Sequence, residues 1–305
     1  MAEMNGDNSN KGYAVTVGFF DGVHKGHLHL IDTLRSMAAE RGLSSRIVTF
    51  AEHPRQVLQS DFKPLLLSTA QDKCRMLEQC GADICTILHF TEELAMMDAR
   101  SFMKEVLCDR LGAKCLLMGH DHRFGHDRIT DFSRYREIGD GIGLEVIQDD
   151  ALLYDEKPVS SSRIRHCLGQ GDVESAAAML GYQYSLTGTV VHGLRNGHRM
   201  GFPTANMELH CDMLQIPADG VYSAWAKIGN ETFKSMLNIG FRPTVNCAGG
   251  KRTIEAHLLD FDRDIYDEEL TVRFVRYIRR ERKFADMESL SAQLRRDREL
   301  ISATL

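Results

Sequence analysis

The sequence predicts two unlike folds in one chain: an α/β unit with a parallel sheet, then a β unit that closes as a small antiparallel barrel with a terminal helix. Three observations predict this. Up to about residue 181, short apolar runs alternate with segments of helical period, the pattern of a parallel sheet covered by helices on both faces. From residue 185 onwards the period drops to two, in short runs divided by turn residues, the pattern of antiparallel strands. The length of 305 residues and the 43% hydrophobic content suffice for two packed cores. The boundary is expected between residues 183 and 184, giving domains 12–183 and 184–305.

Tyr13 to Val17 reads as a buried strand, and Leu28, Ile31, Leu34 and Met37 give the next segment helical spacing. Arg41-Gly42 stops that helix, and Arg46 to Phe50 is the second strand. After a loop with Pro54 and Pro64, Ser68 and Gln71 form a capping-box pattern for a helix ending at Gly81. Ile84 to Phe90 is a third strand. Asp98 caps a helix carrying Phe102, Val106, Leu107 and Leu111, closed by Gly112. Lys114 to Met118 and Leu144 to Ile147 are the fourth and fifth strands. Helices at Ser161 to Leu168 and Asp172 to Leu180 end at Gly181. The barrel strands are read at Ser185 to His192, Val221 to Ile228, Phe233 to Ile239, Thr253 to Leu259 and Leu270 to Ile278. Met287, Leu290, Leu294 and Ile301 mark a last amphipathic helix from Asp286. The polar start, Met1 to Lys11, is expected to fray.

Composition narrows the function. A net charge of −6 gives no basic field for nucleic acid or anionic membrane. The eight cysteines form no CxxC and several sit in apolar runs, as free thiols of a reducing cytoplasm do. No signal peptide and no membrane-spanning run is read, so the expected location is cytoplasmic, with small-molecule partners only, as a monomer or weak homo-oligomer. No Walker A motif is present, which excludes a P-loop kinase.

Chemistry concentrates first in Gly18-Phe19-Phe20-Asp21-Gly22-Val23-His24-Lys25-Gly26-His27, between the first strand and the first helix. Unpaired N–H groups and the positive end of a helix dipole suit an anion there. Gly18, Gly22 and Gly26 allow close approach of a phosphate, and His24 and His27, three apart, can face one bound group. A bare HxxH is more often a metal pair or a surface accident; the glycines and the strand-to-helix junction favour phosphate. The stretch resembles the HxGH signature of nucleotidyltransferases, and the longer FDGVHxGH resembles the FMN adenylyltransferase branch. That resemblance assigns Gly18, Phe20, Asp21, Gly22 and Gly26 to the nucleotide phosphates.

Two further stretches should reach the same sheet edge. Gly119 to Arg128 carries three histidines and two aspartates among its polar residues, a metal-like set by ligand type, but its Arg-Phe-Gly core suits ring stacking and charge pairing better. It resembles the G-x-D-x-R-F-G segment of bacterial FAD synthetases, which implies flavin contacts at Asp121, Arg123 and Phe124. Val159-Ser160-Ser161-Ser162-Arg163-Ile164-Arg165 is by itself an ordinary helix cap; hydroxyls backed by arginines also make a phosphate site. It resembles the ISSxxIR signature of the same superfamily, which implies that Ser160, Ser161, Ser162 and Arg165 contact ATP.

In the second domain a basic loop, Gly193 to Gly201 with Arg195, His198 and Arg199, leads into Gly201-Phe202-Pro203-Thr204-Ala205-Asn206. A hydroxyl and an amide two apart on extended chain can both ligate Mg²⁺ or a nucleotide. The stretch resembles the G-F-P-T-A-N motif of riboflavin kinases, and the match continues through Pro217 to Tyr222, Asn238 to Thr244 and Ile254 to Phe261. It implies a nucleotide contact at Gly201, Mg²⁺ and nucleotide ligation by Thr204 and Asn206, and Glu255 as the base for the ribityl hydroxyl. Without it, Glu255 reads as an exposed residue on a barrel strand.

The resemblance covers about Tyr13 to Asp297 and is to the bifunctional bacterial riboflavin kinase/FMN adenylyltransferases. It implies a Rossmann-like nucleotidyltransferase domain and a kinase barrel. It also implies ATP as co-substrate, Mg²⁺ as cofactor, and riboflavin, FMN and FAD as substrates and products. His24, His27 and Arg165 would stabilise the transferring phosphorus. Phe19 departs from the usual Asn, Arg195-Asn196 from the usual Gly-Arg, and Ala51 to Pro54 varies a Pro-His-Pro pattern. Two other readings stay open on the residues alone: a kinase with a non-catalytic flavin-binding first domain, and a nucleotidyltransferase acting on a different phosphate monoester.

Overall fold

The computed structural model describes residues 2–4, 11–58, 61, 65–192, 202–242 and 251–305. It divides into two compact units, Met1–Ser161 and Ser162–Leu305.

The first unit is a six-stranded sheet in the order β1-β4-β3-β2-β5-β6. Its strands are β1 (Ala2–Met4), β2 (Tyr13–Val17), β3 (Ser44–Phe50), β4 (Ile84–Leu88), β5 (Ala113–Met118) and β6 (Glu145–Gln148). All neighbours from β4 to β6 pair parallel. Adjacent residues on each strand bury on opposite faces. Val15, Val48, Ile84 and Leu116 enter one core with Met103 and Leu107. Ala14, Ile47, Cys85 and Cys115 enter the other with Ile31, Leu34 and Leu77. Double burial is why these strands read as continuous apolar runs. The order reverses between β2 and β5, the switch point at which open α/β sheets bind ligands beyond their carboxyl ends.

Helix α1 (Lys25–Glu40) follows β2, and α2 (Pro54–Leu58) and α3 (Ala70–Glu78) follow β3. After β4 come α4 (Glu92–Met96) and α5 (Ala99–Ser101), the latter continued by a π-helical stretch Phe102–Arg110. As the sequence predicts, Asp98 caps α5, accepting from Ser101 N–H at 2.7 Å. Helix α6 (Phe132–Asp140) and the hairpin β7 (Leu153–Tyr154) and β8 (Lys157–Pro158) complete the unit, with α7 (Ser161–Gly169) beginning at its end.

Three expectations are corrected. Thr69, not Ser68, caps α3, accepting from Asp72 N–H at 3.1 Å, because Ser68 Oγ instead accepts from Gly22 N–H at 3.1 Å. Part of the polar start does not fray: Ala2–Met4 pairs antiparallel along the edge of β4. The sequence reading predicts no helix at α6, although Phe132, Tyr135 and Ile138 recur there every third residue.

The second unit is a closed barrel in the order β10-β13-β12-β11-β14-β9. The strands are β9 (Ser185–Val191), β10 (Ala205–Leu209), β11 (Gly220–Ile228), β12 (Glu231–Arg242), β13 (Lys251–Leu258) and β14 (Glu269–Arg279). Strand β10 is one more than the sequence reading counted. Leu186, Leu237, Ile254, Ala256, Leu270, Val272 and Phe274 are fully or nearly fully buried, every second residue along their strands. Helix α8 (Val173–Leu180) joins β14 through an Arg276–Glu174 ion pair at 3.0 Å, and Ala218 N–H donates to Leu168 O of α7 at 2.9 Å. The terminal helix α9 (Met287–Thr304) is held by Asp297, 3% exposed, accepting from Arg279 Nε and Nη2 at 2.9 and 2.7 Å. Among the described residues no helix is long and apolar enough to cross a membrane.

Candidate active sites

The first site forms where β2 runs into α1. Three residues in this turn hold positive φ: Phe20 at 55°, Gly22 at 74° and Val23 at 35°. Such backbone is costly for a β-branched residue and persists only where the surroundings hold it. Here Phe20 and Val23 are both 3% exposed in the α1-side core. The Asp21 carboxylate supplies a second restraint, accepting from Leu67 N–H at 2.8 Å and Ser68 N–H at 3.3 Å.

His24 is the N-cap of α1, its Nδ1 accepting from His27 N–H at 3.2 Å. That bond fixes the proton of a neutral His24 on Nε2, which leaves a donor for an anion. The His24 and His27 rings stack at 3.5 Å between centroids, and Phe20 meets His27 edge-on at 5.1 Å. Burial, then the neighbouring charges of His24, His122 and Lys73, pushes His27 well below the ordinary imidazole range. The sequence-predicted pair therefore shares one spot, His24 buried and His27 partly so.

The serine segment lies against this turn. Ser161 Oγ donates to Asp21 O at 3.0 Å, and a side chain at residue 26 would meet Val159 O and the His24 ring at 3.2 Å, a close approach that glycine makes without displacing either. Further along α7, Arg165 Nη2 donates to Ser162 Oγ at 3.3 Å.

The loop after β5 is pinned at two points. His126 N–H donates to Met97 O at 2.9 Å and Asp127 Oδ1 accepts from Ala99 N–H at 3.2 Å. Of the expected flavin contacts, Asp121 and Arg123 are exposed. Phe124 is gripped by Tyr135, whose hydroxyl donates to Phe124 O at 2.8 Å, and its ring packs on Phe102 and Tyr135 at 5.2 and 4.8 Å.

In the barrel, register does what sequence proximity does in the first site. Asn206 on β10 is the direct cross-strand partner of Glu255 on β13, so the two side chains share a face. Ala205 and Ala256 pair on the alternate face and line a cavity of about 460 Å³, together with Thr204, Leu258 and the 261–266 loop. The motif is anchored through Phe202, buried among Val221, Met236, Leu259 and Ile301. Beside it, His257 Nδ1 bonds Pro203 O at 2.8 Å, which requires the proton on Nδ1. Arg252 fastens the Pro217-Ala218-Asp219 stretch, donating to Asp219 Oδ1 from Nε and Nη2 at 2.9 and 2.6 Å. Gly201, the 193–200 loop with Arg195, Asn196, His198 and Arg199, and Pro243 and Thr244 lie outside the described residues.

Two family models match, FAD synthetase over residues 6–163 and riboflavin kinase over 180–305. A bifunctional riboflavin kinase/FMN adenylyltransferase of Pseudomonas fluorescens is 35% identical over 94% of this chain and 91% of its own length. The protein of that name from Escherichia coli K12 is 33% identical over 94% and 91%. The chain belongs to the bifunctional riboflavin kinase/FMN adenylyltransferases. A crystal structure from Streptococcus pneumoniae, titled a macrolide-efflux protein, shares the fold with a TM-score of 0.84, at 30% identity over 97% of this chain and 95% of that one.

Against this family the departure at Phe19 lies beside the varied Pro-His-Pro stretch, its ring 4.8 Å from that of His53. The other side of Phe19 faces Lys73 Nζ at 3.8 Å from the ring centroid. Lys73 is 2% exposed, donates to Phe50 O at 2.7 Å, and is pushed by burial down to about 8. Sequence reasoning passed over this lysine. Its spacing of four from Leu77, on the apolar stripe of α3, was the available signal. It also passed over His257, within a matched motif, and His122, at an unspecified position of the G-x-D-x-R-F-G segment.

Proposed function

We infer that the two activities of this enzyme, phosphorylation of riboflavin to FMN and adenylylation of FMN to FAD, run on separate side-chain clusters. Thr204, Asn206 and Glu255 serve the first. His24, His27, the serines Ser160, Ser161 and Ser162, and Arg165 serve the second. The observation that carries this reading is the direct pairing of Asn206 with Glu255, in a different unit from the stacked His24 and His27.

For the kinase, a hydroxyl, an amide and a carboxylate are the hard oxygen donors that suit Mg²⁺, so Thr204 and Asn206 fit as its ligands. Bound there, the ion would neutralise charge on the ATP phosphates. Glu255 accepts the proton of the ribityl hydroxyl as its oxygen bonds to the γ-phosphorus, and the bond to ADP breaks. For the adenylyl transfer, the FMN phosphate is already ionised near neutral pH and needs no base. Its oxygen bonds to the α-phosphorus of ATP, and pyrophosphate leaves. His24 Nε2–H, His27, the serine hydroxyls and the Arg165 guanidinium stabilise the developing charge. Asp121 and Arg123, exposed beside the loop after β5, are the flavin contacts of this reading, with Phe124 holding the loop. Gly18, Phe20 and Gly22 shape the turn, and Asp21 braces it.

The free thiols among the described cysteines support a reducing, cytoplasmic setting, and the partners are small molecules. The division at residues 183 and 184 follows the change from helices to antiparallel strands. Fragments starting at Ser162 and at Tyr184 test it. Both should make FMN, with the longer one the more stable by its α7 and α8 contacts; an unfolded or inactive 184–305 would move the boundary into the helices. The assay for the whole reading starts the same protein from riboflavin or from FMN, with ATP and Mg²⁺, and separates the flavins by chromatography. Variants at His27 and Glu255 that fail on the same step would overturn the assignment.

A further inference from the structure

Two imidazole nitrogens in the first unit are buried and have no hydrogen-bond partner among the described residues: His27 Nδ1 and His122 Nε2. Buried polar atoms are nearly always partnered, so two in one region are informative. They arrive from the two sides of the switch point, His27 from α1 after β2 and His122 from the turn after β5. That turn is closed by His122 N–H donating to Gly119 O at 3.1 Å. It lies against α1: a side chain at residue 119 would meet Leu30 at 3.8 Å. The His122 ring leans on Phe124 at 5.8 Å and stands near enough to His27 for its charge to act there.

The missing partner has a definable chemistry. Burial pushes His122 down to about 4, opposed only by Asp121, so its imidazole is neutral near neutral pH, as is that of His27. A neutral imidazole offers one N–H and one lone pair. A metal ion is disfavoured as the shared partner, because no group of three His, Cys, Asp or Glu among the described residues is arranged to hold one. An anionic oxygen satisfies an N–H from each ring.

We propose that His122 is a third phosphate-contacting imidazole of the adenylyl-transfer site, meeting the same triphosphate as His27. The proposal rests on the reading that His24 and His27 bind the phosphates of ATP; His122 itself stands at an unspecified position of the G-x-D-x-R-F-G segment, which by resemblance implies flavin contacts.

The experiment uses the full chain carrying His122→Phe, His122→Gln or His27→Ala, with parent-like circular dichroism and thermal unfolding reporting that the first unit of each protein is folded. His122→Phe fills the space beside Phe124 without an N–H. It should lower kcat/KM for ATP in FAD formation by roughly 10- to 10²-fold, while His122→Gln, which keeps a donor, stays within a few-fold of the parent. Should His122→Phe run at the parent rate while His27→Ala is inactive, the phosphate reading stands and this proposal fails. An active His27→Ala overturns the phosphate reading itself, and this proposal with it. A second measurement needs no turnover. Pyrophosphate added to the full chain should shift the imidazole NMR signal that His122→Gln removes and raise its titration; a signal that stays put overturns the proposal.

Discussion

In the first unit His24 and His27 are sequence neighbours, held by a backbone with little freedom. In the second, Asn206 and Glu255 lie far apart in sequence and meet only because β10 and β13 pair in one register. The first design stores its geometry locally, in the positive φ of Phe20, Gly22 and Val23 and in the Asp21 contacts to Leu67 and Ser68. The second stores it in the barrel, where a one-residue slip would turn Asn206 and Glu255 to the other face. Local storage suits a turn that holds two rings stacked at 3.5 Å at a helix terminus. Register suits a cluster such as Asn206 and Glu255, whose side chains come from different strands.

The largest effect that would sharpen this contrast is on the kinase. Glu255→Gln keeps the shape and removes the proton acceptor, so FMN formation should fall about 10²- to 10⁴-fold. FAD formation from supplied FMN should be unchanged. A parent rate of riboflavin phosphorylation would leave Glu255 as an exposed barrel residue. The mirror experiment is His27→Ala, which should lower FAD formation by about 10²- to 10³-fold, the usual loss for one stabilising donor, and leave FMN formation alone. If either variant, still folded, lost both activities, the separation of the two clusters would be wrong.

Next in size is a stability effect confined to the barrel. Asp297 is 3% exposed and holds Arg279 through three hydrogen bonds from Nε and Nη2, while accepting from Gln293 Nε2 at 2.7 Å. Asp297→Ala leaves the guanidinium, itself partly exposed, without its carboxylate. The cost should approach the lower end of the range for broken buried pairs, about 3 kcal/mol. Urea unfolding of a 162–305 fragment reads it directly, and a cost below about 1 kcal/mol would mean that α9 is held by Ile301 and its apolar neighbours alone.

How much of this was legible in the sequence follows the same division. The turn at His24 and His27 was readable because its residues are contiguous and its glycines mark the backbone. The strands of the parallel sheet were readable because double burial makes them apolar throughout. The cap of α3 was misread because Ser68 and Gln71 satisfy the local rule, while a tertiary contact to Gly22 takes the hydroxyl. Strand β10 was passed over because Ala205, Asn206 and Met207 do not alternate cleanly, and its pairing depends on β9 and β13. Asn206 could be singled out by motif, but its partnership with Glu255 required the register. Lys73 and His122 were invisible for the opposite reason: a single polar residue carries no period, and only the fold reveals what it is buried against.

The smallest predicted effect tests whether the first unit really keeps a charge in its interior. Lys73 is buried against Phe50 O and the Phe19 ring, and burial lowers it from 10.5 to about 8. Between those two values the unfolded chain holds the proton on this lysine and the fold does not. The unfolded state then binds more protons, so this residue's contribution to stability rises with pH across that window, by at most about 1.4 kcal/mol per pH unit. Below pH 8 both states hold the proton and its contribution is flat. Many other groups titrate in the same range, so the informative quantity is the difference between the parent and Lys73→Met, which share all of them. Denaturant unfolding at pH 7, 8, 9 and 10 should show that difference constant from 7 to 8 and then moving in favour of the parent. The neighbouring Asp21 and Glu52 charges raise the lysine and narrow the window, and the Phe19 face acts in the same direction. A difference that stays flat to pH 10 would mean that the aromatic face and the Phe50 carbonyl compensate the ammonium fully. Phe19 would then be a replacement for solvent around a working cation, and the departure from asparagine at that position would be a stabilising one.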